Sequence, residues 1–157
     1  MTDEKKKDFT RRLSQCNGGE MIVIEYDIFY AYLEDAENAF ELGGPDFKDA
    51  IRHCDQVLVR LQNSLNFDYE LAGQLFPLYE YARRQLALAL ATHKRKPMSF
   101  AKNVVDKLYS AFVEVAKQDK SEPIMGNTQK VVAGMTYGKT SISEGYENYD
   151  RQRGFLA

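Results

Sequence analysis

The residues best suited to bind a metal ion are two histidines, His53 and His93, and two cysteines, Cys16 and Cys54. His53 and Cys54 are adjacent, and adjacent residues point about 100° apart around a helix, which is a poor geometry for chelating one ion. Helical bundles that hold two iron ions place a glutamate three residues before each histidine. Neither histidine here has one. We therefore predict no metal site and no cofactor.

Other catalytic patterns are equally weak. The glycine pairs Gly18-Gly19 and Gly43-Gly44 are not followed by the residues that complete a phosphate-binding loop. The serines have no evident histidine and acid partners. Cys16 and Cys54 fall on different predicted elements, where we expect small core residues and not a disulfide. The sequence predicts a protein that is not an enzyme.

The chain has 157 residues, enough for one domain with a substantial core. Its formal net charge is −2, so it has no general attraction to nucleic acid or to an anionic membrane. The first residues, MTDEKKKDFTRRLSQ, are basic but precede no apolar run. They form neither a signal peptide nor a membrane span, and we predict a cytoplasmic protein without membrane insertion.

Charge is unevenly distributed along the chain. Between Leu13 and Phe47 every charged residue is acidic, whereas residues 83–107 are basic apart from Asp106. We interpret these stretches as two solvated faces that attract each other across a helical bundle. The basic run Lys94-Arg95-Lys96 falls at a predicted turn without a row of aromatic residues, so we predict no nucleic-acid partner.

Apolar residues recur at steps of three and four, which predicts four amphipathic helices. The first runs from Gly18 to Leu42, with Asn17 as its cap and Gly43 as its stop. The others cover about residues 47–66, 69–93 and 97–118. No segment alternates convincingly with the period of a strand. The predicted fold is all-α: an antiparallel up-down four-helix bundle with an irregular C-terminal extension.

The predicted organisation has three parts. A flexible N-terminal segment covers residues 1–16, the bundle residues 17–118, and a C-terminal tail residues 119–157, with one helical turn near residues 129–135. Within the third helix, Pro77 removes one hydrogen bond and is expected to kink the helix near Gly73. The inner face of that helix is assigned to Leu71, Leu75, Leu78, Ala82, Leu86 and Ala89.

Two helices carry more apolar residues than one inner stripe requires, and aromatic residues also surround the corner between the second and third helices. The surplus indicates either a wide core or a groove for a partner segment, and its tyrosines favour the groove. Tyr79 and Tyr81 lie about 200° apart on a helix, so at most one of them faces the core. The candidate groove residues are Ile28, Tyr32, Phe67, Phe76, Tyr79, Tyr81 and Leu88.

The run MIVIEYDIFYAYLEDAENAF, followed by VLVRLQNSLNFDYELAGQLFPLYEYARRQL, resembles the flagellar export chaperone family FliS. The matching features are Tyr26-Asp27 in the first helix, Leu61-Gln62-Asn63-Ser64-Leu65-Asn66 at the corner, and Leu78-Tyr79-Glu80-Tyr81 in the third helix. The resemblance covers about residues 15–118.

The resemblance implies a cytosolic chaperone that binds the C-terminal region of flagellin, prevents its premature polymerisation and presents it to the flagellar type III export apparatus. It implies no cofactor, and we expect a monomer or a weak homodimer. A general helical adaptor or oligomerisation module unrelated to export would show the same bundle pattern. An RNA-binding or RNA-cleaving bundle is a third alternative. It is supported only by the basic run Lys94-Arg95-Lys96.

The tail contains two apolar islands, VVAGMTYG and the terminal GFLA, in an otherwise polar segment. Apolar residues in water are a liability unless they rest on another surface. One hypothesis is that residues 129–157 fold back onto the bundle and cover the candidate groove until a client displaces them. The alternative is a loosely ordered appendage.

Overall fold

The computed structural model describes residues 1–125. It contains five helices: α1 (Asp3–Leu13), α2 (Gly18–Ala39), α3 (Gly44–Asn63), α4 (Glu70–Thr92) and α5 (Arg95–Gln118). No strand occurs in this part of the chain, in agreement with the all-α prediction. Helices α2 to α5 correspond to the four predicted ones, and α1 is additional. The helical turn predicted near residues 129–135 lies outside the described residues.

Helix α1 lies within residues 1–16, the predicted flexible N-terminal segment, where no helix was predicted. The Thr2 hydroxyl accepts a hydrogen bond from the Lys5 amide at 3.3 Å and caps the helix. Acidic residues occupy its first turn and basic residues its last turn, which suits the helix dipole. No residue of α1 is buried. The sequence pattern missed α1 because such a helix lacks the apolar stripe that identified the others.

The ends of α2 and α3 follow from local chemistry. At the start of α2 the Asn17 side chain accepts from the Glu20 amide and the Glu20 carboxylate accepts from the Asn17 amide, so the predicted cap is confirmed. The connection to α3 turns at Gly43 and Gly44, whose φ angles are 59° and 71°. Helix α3 begins earlier than predicted because Pro45 is well suited to a first turn.

The four longer helices pack in a ring in which α2 contacts α3 and α5, and α4 contacts the same two helices. At one end His93, with a left-handed φ of 49°, stacks on Phe40 at 4.4 Å and lies against Gly43. At the other end the Gly19 amide donates to the Asp119 carboxylate at 2.9 Å. The α2–α3 and α4–α5 connections therefore lie at one end of the bundle. The start of α2 and the end of α5 lie at the other end.

A buried pair of tyrosines links α2 to α4. Tyr26 and Tyr79 are 0% and 1% exposed, and their hydroxyl oxygens are 2.6 Å apart. Burial raises the pKa of both phenols, so both stay protonated and one hydroxyl donates to the other. The Tyr26 ring also contacts Tyr109 and Phe112 of α5. Three helices thus meet around this pair.

The inner face of α4 differs from the predicted one. The buried residues are Ala72, Tyr79, Ala82, Leu86 and Ala89, and with the half-buried Leu75 they follow steps of three and four. Leu71 and Leu78, which were assigned to the core, are instead exposed. The prediction was wrong in this half of α4 because it preferred leucine to the neighbouring alanine and tyrosine. The helix continues through Pro77.

Both cysteines are buried and free, as predicted. Cys54 lies in the main core, where its thiol contacts the Phe29 carbonyl oxygen at 3.8 Å. Burial raises the pKa of the Cys54 thiol and keeps it in the unreactive neutral form.

We predict that Tyr79→Phe lowers the free energy of unfolding by about 1–3 kcal/mol, because it leaves the Tyr26 hydroxyl buried without its partner. Removing both hydroxyls in a Tyr26→Phe, Tyr79→Phe double variant is expected to be less destabilising than the sum of the two single changes. Tyr81→Phe on the same helix serves as the control and is expected to be neutral. Urea unfolding of the four variants measures the coupling, and strict additivity would contradict it.

Candidate functional site

Four large apolar side chains, Leu71, Leu78, Tyr81 and Leu88, are 42–59% exposed along one side of α4. Their spacing of seven, three and seven residues keeps them on one side of a helix. We call them the outer α4 surface. Two of them, Tyr81 and Leu88, are predicted groove residues, and the inward position of Tyr79 agrees with the prediction that only one of the two tyrosines faces the core. This surface is available to a partner segment.

The corner between α3 and α4 exposes more aromatic surface. The rings of Phe67 and Phe76, two of the candidate groove residues, lie 5.8 Å apart, and both side chains are exposed. The Ser64 hydroxyl donates to the Leu61 carbonyl at 2.7 Å. The Asn66 side chain accepts from the Asp68 amide at 2.9 Å. These polar residues shape the corner and leave its apolar residues facing outward.

Next to this corner is a cavity of about 210 Å³, which we call the corner pocket. It lies between the first turns of α4, the start of α2 and the second half of α5. No charged side chain is among its lining residues, which are Ile22, Ser64, Leu65, Asn66, Tyr69, Leu71, Ala72, Leu75, Tyr79 and Phe112. An uncharged pocket of this kind suits an apolar occupant.

The position of Tyr79 corrects its assignment as an exposed groove residue. It is 1% exposed and its hydroxyl is bonded to Tyr26 inside the core, although its ring borders the corner pocket. Tyr79 therefore forms part of the inner wall of the corner pocket and is not exposed to a partner. Its substitution is expected to act mainly on stability.

The two remaining predicted residues, Ile28 and Tyr32, lie on another side of the molecule. They line a cavity of about 330 Å³ between α1, α2 and α3, together with Phe9 and Leu13 of α1. The Tyr32 ring stacks on His53 at 4.5 Å. Helix α1 therefore partly covers these two residues, and the structure does not bring them together with the residues on α4.

Charge pairs hold α1 on α2. Arg12 bonds to Asp27 at 2.5 Å and Lys5 to Glu34 at 2.6 Å. The amino group of Met1 pairs with Asp35. The Lys5–Glu34 pair is exposed, and such pairs contribute little, typically below about 1 kcal/mol, whereas the other two pairs are partly buried. No residue of α1 is buried, so this attachment is weaker than the packing of α2 to α5.

These pairs also correct the interpretation of the charge distribution. The acidic stretch was expected to face the basic stretch of residues 83–107. Within residues 1–125, one ion pair joins the two stretches, between Glu41 and Arg95 at 2.6 Å. Arg95 also lies over the Phe40 ring at 4.3 Å. Several acidic residues of α2 are instead paired with α1, because α1 brings basic residues to that face.

A second polar cluster joins α2 to α5. Asp106 accepts hydrogen bonds from the Tyr30 hydroxyl at 2.7 Å and from Lys102 at 2.8 Å. Burial alone would raise the pKa of Asp106, but the bonds from Lys102 and Tyr30 outweigh it and hold the pKa below its usual value. This cluster is structural, since each polar group in it has a partner.

Residues 1–125 contain no group of three or more histidine, cysteine or acidic side chains placed to hold a metal ion. No helix in the same part of the chain is long and apolar enough to cross a membrane.

The sequence pattern did not identify Leu71 and Leu78 as surface residues. It also did not predict the corner pocket. The signal was present in the regular steps from Ala72 to Ala89, which include three small alanines that hydrophobicity alone ranks below leucine. The pocket could not be found in this way because its walls come from three helices.

The fold and its exposed apolar surfaces define a helical protein of the type that binds other polypeptides. The family model described as "Flagellar protein FliS" matches residues 1–119. The chain belongs to the FliS family, which places it among the chaperones of flagellar assembly. No curated protein matches the chain.

We predict that salt loosens α1 selectively. Raising the ionic strength from 0.1 to 1 M shortens the screening length from about 10 to 3 Å, which weakens exposed ion pairs. Hydrogen exchange of residues 3–13 is expected to accelerate while that of α3 stays unchanged. Arg12→Gln should have the same effect at low salt. Arg11→Gln is the matched control, since Arg11 pairs with Asp8 inside α1. Equal exchange in both variants would show that charge does not hold α1.

Proposed function

We propose that this protein binds the C-terminal region of flagellin, keeps it from polymerising and presents it to the flagellar type III export apparatus. Membership of the FliS family supports a role in flagellar assembly. The observation that carries the proposal is the outer α4 surface, where four large apolar side chains remain exposed along one helix. Such a surface is a liability for a protein that has no partner for it.

The proposed mechanism is coupled folding and binding. A flagellin segment becomes helical and lays its apolar side along the outer α4 surface and the Phe67–Phe76 corner. Full burial of one large apolar side chain contributes about 1.5–3 kcal/mol, and ordering the segment consumes about 2–5 kcal/mol of the total. Several side chains must therefore be covered together, which makes binding depend on an extended client segment.

Binding in this way hides the apolar side of the client that would otherwise associate with other flagellin molecules. It requires no bond chemistry, so we propose a non-enzymatic protein without a cofactor, acting in the cytoplasm as a monomer or weak homodimer. The export apparatus would receive the complex and not free flagellin. Ile28 and Tyr32 are proposed as additional contacts, accessible when α1 is displaced from them.

A general helical adaptor unrelated to export is the competing function. It would use the same exposed surface but would have no preference for flagellin. The family match argues against this alternative, and the choice of client tests it directly.

We predict that the full-length protein binds flagellin in a one-to-one complex, and that deleting the C-terminal helix of flagellin abolishes binding. Isothermal titration calorimetry measures both the ratio and the affinity. Equal affinity for intact and shortened flagellin would reject the proposed client segment. Binding of unrelated amphipathic helices with similar affinity would instead favour the general adaptor.

We predict that Tyr81→Ala weakens flagellin binding at least about tenfold, as expected for a central aromatic contact, with little change in melting temperature. Leu42→Ala is the control, because Leu42 is 92% exposed on the α2–α3 connection, away from the proposed surface. Tyr79→Ala should behave in the opposite way and lose about 3–5 kcal/mol of stability. If Tyr81→Ala lowered only the melting temperature, the assignment of this surface to the client would be wrong.

A further inference from the structure

The outer α4 surface borders α5. Arg83 faces α3, because its guanidinium group donates to the Asp55 carboxylate at 2.8 Å. At about 100° per residue, Tyr81 and Leu88 lie about 140–160° from Arg83 around α4. They are therefore on the side of α4 that is turned away from α3, and the helix that packs next to α4 on that side is α5.

One side of α5 continues this apolar surface. Asp106 faces α2, because the Tyr30 hydroxyl of that helix donates to it at 2.7 Å. Phe100 and Val115 lie about 120° and 180° from Asp106 around α5, so they are turned away from α2 and towards α4. Both side chains are exposed, by 39% and 60%. Apolar residues of two neighbouring helices thus meet on one face of the molecule.

Helices α4 and α5 are antiparallel neighbours joined by a short connection at residues 93 and 94. Residues at similar distances from this connection lie at similar heights, which places Leu88 level with Phe100 and Leu71 level with Val115. Neighbouring helices about 8–10 Å apart leave a groove between them that can hold one amphipathic helix. We call this combined surface the α4–α5 face, with the apolar residues Leu71, Leu78, Tyr81, Leu88, Phe100 and Val115.

Exposed cations border the half of this face that is nearest the connection. Lys96 and Lys107 lie within about 40° of Phe100 around α5, and the Lys96 ammonium group is 5.7 Å from the centre of the Phe100 ring. Arg84 lies within about 60° of Tyr81 around α4. Within residues 1–125, none of these three cations takes part in an ion pair.

Acidic side chains are turned away from the same half of the face. Between residues 78 and 107 the acidic residues are Glu80 and Asp106. Glu80 accepts a hydrogen bond from Gln62 of α3, and Asp106 accepts one from Tyr30 of α2. The α4–α5 face therefore combines apolar contact area with positive charge. Its chemical complement is an amphipathic helix with acidic residues beside its apolar stripe.

We infer that the α4–α5 face selects a client helix whose apolar stripe is bordered by acidic residues. The inference rests on the proposed function, which supplies a helical client segment, and it adds the charge that this segment carries. The acidic residues of the client lie near the α4–α5 connection, where the three cations are. The groove favours a helix, a rod about 10–12 Å wide, over an anionic membrane, whose surface is flat.

Two designed peptides test this selection without flagellin. Both are amphipathic helices of about 18 residues with the same leucine stripe, which is bordered by glutamates in one peptide and by lysines in the other. The full-length protein is expected to bind the glutamate peptide about tenfold more tightly at 0.1 M salt, because one exposed ion pair contributes up to about fivefold and three cations act together. Raising the salt to 1 M should remove most of this difference. Fluorescence anisotropy of the labelled peptides measures both affinities.

Three variants locate the charge and the apolar contact. Lys107→Glu should weaken binding of the glutamate peptide and strengthen binding of the lysine peptide, each by about threefold, with an unchanged melting temperature. Lys48→Glu is the matched control, because it makes the same change in net charge at an exposed position of α3 and should leave both affinities unchanged. Tyr81→Ala should weaken both peptides alike, since it removes apolar contact and no charge.

Equal affinity for the two peptides would overturn the inference, and so would a Lys107→Glu variant that behaves like Lys48→Glu. Binding to phosphatidylserine vesicles that Lys107→Glu abolishes, without a difference between the peptides, would assign the charge to a membrane surface and also overturn it.

Flagellin is titrated separately to distinguish this inference from the proposed function. Absence of flagellin binding to the wild type would reject the proposed function, whereas the peptide selectivity would stand as a property of the α4–α5 face. Flagellin binding without peptide selectivity would reject the inference and leave the proposed function intact.

Discussion

The hydrogen bond between Tyr26 and Tyr79 decides which side of α4 faces the core. A buried hydroxyl needs a partner, and the two hydroxyls at 2.6 Å satisfy each other. Tyr79 must therefore point towards α2. Leu78, its neighbour in the chain, is turned about 100° away and points out of the core. The exposure of the outer α4 surface is therefore a consequence of the inward position of Tyr79 as well as of the residues that form the surface.

The sizes of the buried side chains reinforce the same orientation. On its inner face α4 presents Ala82 and Ala89 to the same core cluster as large side chains of α2 and α3 such as Phe29 and Leu58. Interiors are close-packed, so turning the larger leucines of α4 inward would overfill the core. Leu71, Leu78 and Leu88 are consequently left on the surface, where the proposed client binds.

The helices are held together by two different kinds of interaction. Helices α2 to α5 are joined by a continuous apolar cluster, whereas α1 rests on α2 mainly through charge pairs. Added salt does not weaken apolar packing by screening, whereas it screens ion pairs that are open to solvent. The molecule thus combines a packed framework of four helices with a first helix that charge pairs hold over Ile28 and Tyr32.

The sequence by itself determined the four longer helices, most of their inner faces and the family. Steps of three and four along α2 and α3 correspond directly to buried residues such as Phe29 and Ile51, because one face of each helix is much more apolar than the rest. The glycines at residues 43 and 44 and the Asn17 cap marked helix ends through local backbone chemistry alone.

Only the tertiary structure decided the rest. The sequence offered two possible stripes on the first half of α4, and the choice between Leu78 and Tyr79 depended on a hydroxyl supplied by Tyr26, 53 residues away in the chain. Helix α1 was missed because acidic residues of α2 stabilise its position, and such pairing leaves no periodic pattern. The corner pocket is formed by α2, α4, α5 and the α3–α4 connection together, so its shape depends on packing and not on any single segment.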